Sequence, residues 1–406
     1  MSEAGLLRQV PNHEQAKALD VLTPKERASR LATEFAKTAV ERDQAGGTPK
    51  AERNAIRESG LLSLMIPQSL GGLGQGWQPT LEIVREFARV DSSIAQVFGF
   101  QHLMLATVRL FGTEAQWKPW FRQTAVNNWF WGNALNPLDL RTSSSIEDGA
   151  REFHGKKSFC SGATDSDMLI ASALDAETGK LLIAAIPTAR KGITLHHDWD
   201  NIGQRQTDSG SADFEHVRVE ADELLLDPGP LSTPFACLRP LIAQLIFSNI
   251  YLGIAQGALA EARQYTLRQS RVWSGSLASD IQAEPYTLLH YGEFWVGLEG
   301  ARLLTNHAAE LLDAAWNKAE SLTLEERGEL AIAVTAAKVA TTKAGLDITH
   351  RMFEVTGARA TTAALRLDRF WRNLRVYTLH DPVDFKLKEL GDWALNQQYP
   401  TPSFYS

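Results

Sequence analysis

From Gly229 through Ala260 the chain contains no aspartate or glutamate. Residues 239–271 read as one long helix, and a helix without carboxylates over most of its length has little that solvent could favour. It has to be buried on most sides, at the centre of a helical bundle or at a subunit interface. That requirement constrains the C-terminal part of the fold, because other helices must cover it. Two candidates follow. After a polar loop at 274–284, a helix is expected over residues 285–316. Thr323-Leu324-Glu325-Glu326 is then a capping box, which opens a further helix running towards Gly357.

The first third is also helical. Thr23-Pro24-Lys25-Glu26 is a capping box with proline at the first helical position, and Ala28, Leu31, Phe35 and Ala39 line one face before Gly46-Gly47. A second helix is expected over residues 51–59. The glycines from Gly71 to Gly76 do not fit GxGxxG and lie outside any strand–helix unit, so they read as a turn and not a phosphate loop. Helical periodicity resumes over 79–125, with Leu81, Ile83, Val84, Phe87 and Ala88 apolar.

Near Asn127 the pattern changes. Met168 to Leu174 and Leu181 to Ile186, joined by Asp175-Ala176-Glu177-Thr178-Gly179, read as a hairpin. Phe214, Val217 and Val219 close a β-rich middle. The expected organisation is a helical domain at 1–128, a β domain at 129–230 and a helical bundle at 231–406. The expected class is therefore α+β, mostly α.

Composition removes several functions. A net charge of −7 and a pI near 5.9 argue against binding nucleic acid or membrane surfaces. Cys160 and Cys237 lie far apart with no CxxC, which argues against a disulfide framework or zinc site and favours a reducing, cytoplasmic location. No stretch is read as long and uncharged enough to span a bilayer. His350 and Glu354 stand four apart, but no third metal ligand is visible. No metal is expected.

The segment from Arg369 to Pro382 carries arginines at 369, 372 and 375, aromatics among them, and His380 just before a proline stop. It fits a cationic stripe ending in a capping histidine. It equally fits a face for an anionic group with a proton carrier beside it.

In its order of elements and its local motifs the chain resembles the acyl-CoA dehydrogenase fold family over nearly its whole length. The closest likeness within it is to the reduced-flavin monooxygenases of the dibenzothiophene monooxygenase type. The residues that carry this are Ala39-Val40-Glu41-Arg42-Asp43 with Ala45-Gly46-Gly47, and Ser59-Gly60-Leu61-Leu62-Ser63-Leu64. Asn127-Asn128-Trp129, Gly132-Asn133-Ala134, Phe159-Cys160-Ser161-Gly162-Ala163, Gln206-Thr207-Asp208-Ser209-Gly210-Ser211 and Ile242-Ala243-Gln244-Leu245-Ile246-Phe247 continue it. Arg369-Phe370-Trp371-Arg372-Asn373 and Leu379-His380-Asp381-Pro382 complete it. The resemblance implies an N-terminal helical domain, a central β-barrel or sandwich, a C-terminal four-helix bundle, and assembly as a homotetramer.

Acyl-CoA dehydrogenation needs a carboxylate base held over the flavin. Of the two places where that family keeps it, one is occupied here by His380, and the other lies in the carboxylate-free helix. An oxygenase instead protects and protonates a flavin C4a-peroxy adduct, for which neutral or cationic donors suit better. His380, Ser161 and Asn133 are the catalytic candidates that the resemblance implies. Ser161 alone reads as a turn residue and Asn133 alone as a capping residue. The resemblance adds Trp131, Thr207, Ser209 and Ser211 as flavin contacts, with Gln96, Phe100 and Trp199 on the substrate side. Arg271 and Arg359 suit a single terminal phosphate, and the FAD-binding Arg-x-x-Phe-Gly and glutamine motifs are missing. FMN, used as FMNH2, is therefore expected, supplied by a separate NAD(P)H-dependent reductase.

Gln96 and Phe100 replace a histidine and a tyrosine of dibenzothiophene monooxygenase. The expected substrate is accordingly a small alkyl sulfur compound, with His102 as a candidate for the displaced imidazole. The rival expectations are an acyl-CoA dehydrogenase and an aromatic C- or amine N-hydroxylase of the same fold.

Overall fold

The structure, a computed structural model, describes residues 22–268 and 272–406. Among the described residues six helices come first: α1 (Pro24–Ala36), α2 (Ala39–Ala45), α3 (Lys50–Glu58), α4 (Trp77–Val90), α5 (Ser92–Phe111) and α6 (Glu114–Asn127). The Thr23 capping box forms, with Glu26 N–H donating to Thr23 Oγ1 (3.3 Å) and Thr23 N–H to the Glu26 carboxylate (2.8 Å). The single helix expected as far as Gly46 is broken in two. Thr38 leaves helical geometry at φ −123°, ψ 11° and lets α2 turn away. The glycine turn before α4 holds no anion site, because Asp313 accepts from the free N–H groups of Trp77 (2.5 Å) and Gln78 (3.0 Å). A carboxylate of the chain itself satisfies that helix end.

The middle is one curled seven-stranded sheet: β1 (Trp131–Ala134), β2 (Thr142–Glu147), β3 (Ala150–Lys157), β4 (Met168–Asp175), β5 (Leu181–Pro187), β6 (Ile193–Leu195) and β7 (Ala212–Val219). The expected β4–β5 hairpin is present and antiparallel, Met168 opposite Pro187 through Leu174 opposite Leu181. On its other edge β4 pairs in parallel with β1 and, at its end, with β2. The order continues β2–β3–β7–β6, all antiparallel. Phe153, Leu169, Ala171, Ile186, Phe214 and Val217 fill a core of the sheet's own.

Five helices close the chain: α7 (Leu238–Arg268), α8 (Pro285–Lys318), α9 (Leu324–Thr356), α10 (Asp368–Tyr377) and α11 (Val383–Asn396). As its lack of carboxylates requires, α7 is the central helix, packed between α4 and α5 on one side and α8 and α9 on the other. Gly257 permits the α4 crossing, since a Cβ there would lie 2.0 Å from the Arg89 carbonyl oxygen. Leu245, Ile246, Ile250 and Ile254 are at most 1% exposed, and each such burial contributes about 1.5–3 kcal/mol. One core joins the N-terminal helices to α7–α10, so the two helical parts are not separately packed units.

One sequence expectation is corrected. α5 and α7 are both long and apolar enough, by length and composition, to cross a membrane. Their apolar windows are 94% and 89% buried inside the protein, which accounts for that composition.

Candidate active site

Where α5, the sheet and the C-terminal helices meet, buried polar side chains form a continuous hydrogen-bonded chain. Its foundation is the loop 203–210. Gly203 lies so close to α10 that a Cβ would stand 2.3 Å from the Arg372 carbonyl oxygen. Gln204, 1% exposed, ties the loop to α10 through Asn373 Oδ1 (2.8 Å) and to α5 through Ser92 (2.8 Å) and Ser93 (3.2 Å). Arg205 donates to the Asp43 carbonyl (2.7 Å), Gln206 to the Gly46 carbonyl (2.9 Å), and Thr48 to Asp208 (2.9 Å). Thr207 and Ser209 are thereby fixed.

The chain's polarity follows from its two ends. Thr207 Oγ1 donates to the Gln204 carbonyl (3.0 Å), which can only accept. Ser209 therefore donates to Thr207 (2.8 Å), and Ser161 to Ser209 (2.7 Å). Gln96 Nε2 donates to Ser161 (2.9 Å), and the Tyr377 hydroxyl donates to Gln96 Oε1. Burial holds the Tyr377 phenol well above its ordinary pKa, so it keeps its proton. This corrects the expectation that Ser161 donates to a ligand. Its proton is committed to Ser209, and a lone pair is what it presents. Asn133 does suit donation: its Oδ1 accepts Leu135 N–H (3.2 Å), and its Nδ2 has no partner among the described residues.

His380 follows α10 with its side chain 44% exposed. Its ring packs 4.8 Å from that of Phe247 on α7, and Phe247 in turn meets Phe100 (5.8 Å) and Tyr377 (5.5 Å). Nδ1 contacts Asp381 Oδ1 at 3.2 Å. Burial acts to raise the Asp381 pKa, but the His380 hydrogen bond and the Lys338 charge outweigh it and hold the carboxyl well below the usual range. An ionised Asp381 accepts, so Nδ1 carries a proton and Nε2 is the ring's free nitrogen.

The structure thus brings Gln96, Phe100, Asn133, Ser161, Thr207, Ser209 and His380 around one junction. Other candidates stand apart from it. Trp131 is 1% exposed, its indole N–H spent on Thr124 Oγ1 (2.9 Å), so the ring belongs to the core beneath α6. Ser211 gives its hydroxyl to Asp198 (2.5 Å). Trp199 donates to the Gln204 carbonyl (2.7 Å) and meets Phe159 edge-on (5.9 Å), one layer outside the chain. His102 is fully buried against Phe98 (4.8 Å), and burial pushes its pKa down to about 3. It cannot serve as the displaced imidazole, because it neither reaches solvent nor titrates near neutrality.

Two of the three arginines of α10 are held by carboxylates, while Arg375 donates, among the described residues, only to Thr378 Oγ1 (3.4 Å). Arg369 pairs with Glu261, and Arg372 with Asp43 (2.7 Å) and Asp368 (2.6 Å). Arg359 is exposed and pairs with none of the described residues, and Arg271 lies outside them. Tyr377 and Phe247 are site residues that the sequence reading missed. The i, i+4 spacing of Phe247 with Tyr251 and of Asn373 with Tyr377 on their helices was the available signal.

These residues suit a flavin mononucleotide. Ser161 offers an acceptor and Asn133 a donor at a polar rim, and Phe159 is a 57% exposed aromatic beside them. Among the described residues, the α7 carboxylate and the one beside His380 are ion-paired. The first acid of α7, Glu261, is held by Arg369, and Asp381 meets His380 and Lys338 through Oδ1; its Oδ2 is buried without a hydrogen-bond partner among the described residues, but its pKa is held well below the usual range, which makes it a poor base.

Residues 25–127 match the family described as acyl-CoA dehydrogenase, N-terminal domain, and residues 245–385 its C-terminal domain. The chain is 68% identical to the probable FMNH2-dependent monooxygenase SfnC of Pseudomonas putida, over 93% of this chain and 96% of that one. It superposes on methanesulfinate monooxygenase MsuC from Pseudomonas fluorescens with a TM-score of 0.94 at 68% identity, covering 95% of this chain and 100% of the other. FMN-bound TdsC, the dibenzothiophene monooxygenase of Paenibacillus sp. A11-2, gives a TM-score of 0.89 at 40% identity over 96% and 100%. The chain belongs to the acyl-CoA dehydrogenase family. Within that family it is a flavin-dependent monooxygenase.

Proposed function

We propose that this enzyme uses reduced FMN and O2 to oxidise a small alkyl sulfur compound, such as a sulfinate, sulfone or sulfide, at or next to sulfur. The observation that carries the reading is the kind of polar group gathered at the junction. These are hydroxyls, amides and one imidazole, and the carboxylate beside them, Asp381, is ion-paired and held at low pKa, which makes it a poor dehydrogenase base. When bound, reduced FMN supplies the electrons that activate O2. Arg359, with Arg271 beyond the described residues, holds the phosphate. Ser161 accepts a hydrogen bond and Asn133 Nδ2 donates one at the reacting edge, while His380 Nε2, the ring's free nitrogen, takes up and returns the proton. Phe247, Phe100 and Phe159 exclude water.

The small substrate is supported by the state of Gln96 and Phe100. Both ends of the Gln96 amide are occupied, by Tyr377 and Ser161, and Phe100 packs on Phe247. Neither offers a free polar group to a fused thiophene. MsuC, named for methanesulfinate, also has higher identity to this chain than TdsC does.

A separate NAD(P)H-dependent flavin reductase supplies FMNH2 in this scheme. The two cysteines are buried free thiols, in keeping with a cytoplasmic location. Tyr286, Leu289, Val296 and Leu303 recur along α8 with exposures of 70%, 54%, 66% and 56%. Such an apolar stripe is suited to pairing with further copies of the chain as a homotetramer. The test is a substrate panel of sulfides, sulfinates, sulfones, thiophenes, indoles and amines with reduced FMN and O2, product being followed by mass. Oxygen gained only by carbon or nitrogen substrates contradicts the sulfur assignment.

A further inference from the structure

We infer that Lys338 is a positioning residue for His380: its buried ammonium holds the Asp381 carboxylate against the imidazole Nδ1, leaving Nε2 as the ring's working atom. The inference rests on the reading of His380 as the proton carrier. Lys338 lies on the inner face of α9 with its side chain 1% exposed. Its Nζ is 3.2 Å from Asp381 Oδ1 and 4.9 Å from the ring centres of both Phe247 and Tyr251. The same Oδ1 meets His380 Nδ1 at 3.2 Å. Phe247, which faces the imidazole at 4.8 Å, is thus also one wall of the lysine's pocket.

A lysine is a poor choice for packing alone. Replacing a buried ion pair with apolar side chains of similar volume is often neutral or stabilising. Here the lysine faces a carboxylate that is itself bonded to the one exposed imidazole of the junction. Without Lys338, the Asp381 charge would act on His380 uncompensated and hold its proton to higher pH. Without Asp381, the ring would lose both its orientation and the anion that favours its protonated form.

Of the other titratable groups around this cluster, Tyr251, Tyr377 and Lys386 have hydrogen-bond partners of their own, while Tyr251 and Tyr405 feel the Asp381 charge and Lys386 acts on Lys338. Tyr251 donates to the Tyr377 carbonyl (2.9 Å), and Tyr377 to Gln96. The Tyr405 ring lies 5.9 Å from His380, and burial and the Asp381 charge raise its pKa against the opposing charge of Arg239, so it stays neutral. Lys386 is held by Glu389 (3.1 Å) and the Tyr405 carbonyl (2.6 Å). Asp381, backed by Lys338, is therefore the charged group in direct contact with the His380 ring.

The test measures His380 directly, through hydrogen–deuterium exchange at its ring C2 position read by peptide mass across pH, in the intact enzyme and in Lys338→Met and Asp381→Asn. The His380 pKa is expected to rise by about one unit in Lys338→Met and to fall by a similar amount in Asp381→Asn. The pH profile of turnover should shift in the same directions. Should Lys338→Met not fold, Asp381→Asn alone decides. A His380 pKa unmoved in the folded variants overturns the inference whatever turnover does. A moved pKa with an unmoved turnover profile upholds the positioning and removes His380 from the chemistry, so the two readings fail separately.

Discussion

Removing the Ser161 hydroxyl separates a site in use from a well-packed interior. In Ser161→Ala, Gln96 Nε2 loses its 2.9 Å acceptor, while Ser209 still donates to Thr207 at 2.8 Å and is not orphaned. One buried N–H left unsatisfied costs about 1–3 kcal/mol. For a chain of this size that lowers Tm by a few degrees at most. If Ser161 also contacts the reacting flavin edge, the loss of a single positioned polar group lowers kcat by about 10²–10³-fold. Reduced FMN would then be consumed with peroxide released in place of oxidised substrate. The assay compares kcat and the ratio of sulfur product to peroxide in wild type, Ser161→Ala and Ser161→Thr, the last expected to recover part of the coupling. Unchanged kcat and coupling in a folded Ser161→Ala of lowered Tm would refute the reasoning, leaving Ser161 a structural hydroxyl.

Three further outcomes are expected. Arg359→Ala should weaken FMN binding by about 10–100-fold, the worth of one charge-assisted contact, in anaerobic fluorescence titration, with the loss greatest at low salt; unchanged affinity removes Arg359 from the phosphate site. Gln96→His combined with Phe100→Tyr, which installs an imidazole and a phenol, should raise the rate on dibenzothiophene relative to a small sulfinate, measured as a ratio of kcat/KM; an unchanged ratio removes these positions from specificity. Asp175 has its pKa lowered to about 2, first by the Thr178 N–H and then by its hydroxyl and Arg151. Its folded value lies below its unfolded one, so its contribution is complete above about pH 4 and is lost as pH falls towards 2. Asp175→Asn should therefore flatten Tm against pH in that window, and an unchanged slope there contradicts the assignment.

Much of the frame was legible because it depends on neighbours in sequence. The capping boxes at Thr23 and Thr323 and the β4–β5 hairpin are local chemistry, and the carboxylate-free run forces α7 inside. β2 was not, since Thr142-Ser143-Ser144-Ser145 lacks the apolar alternation that marks a strand, and pairing with β3 and β4 supplies what propensity does not. The site was legible only through resemblance, because its bonds span long separations. Gln96 meets Ser161 across 65 residues and Tyr377 across 281. The same distance effect misled the reading of α10, whose Arg369 and Arg372 find Glu261 and Asp43 at separations of 108 and 329. Trp131 was drawn to the site by its place in a motif. Its backbone stands there in β1, but its indole turns to Thr124 and the core.

The central claim is that a dehydrogenase fold without its carboxylate base transfers oxygen to sulfur. The most direct measurement supplies ¹⁸O₂ and reduced FMN with a small alkyl sulfinate and weighs the product. One labelled oxygen per product molecule is expected, together with no anaerobic turnover of acyl-CoA in the presence of an artificial electron acceptor. Unlabelled product, or acyl-CoA oxidation without O2, would contradict the claim.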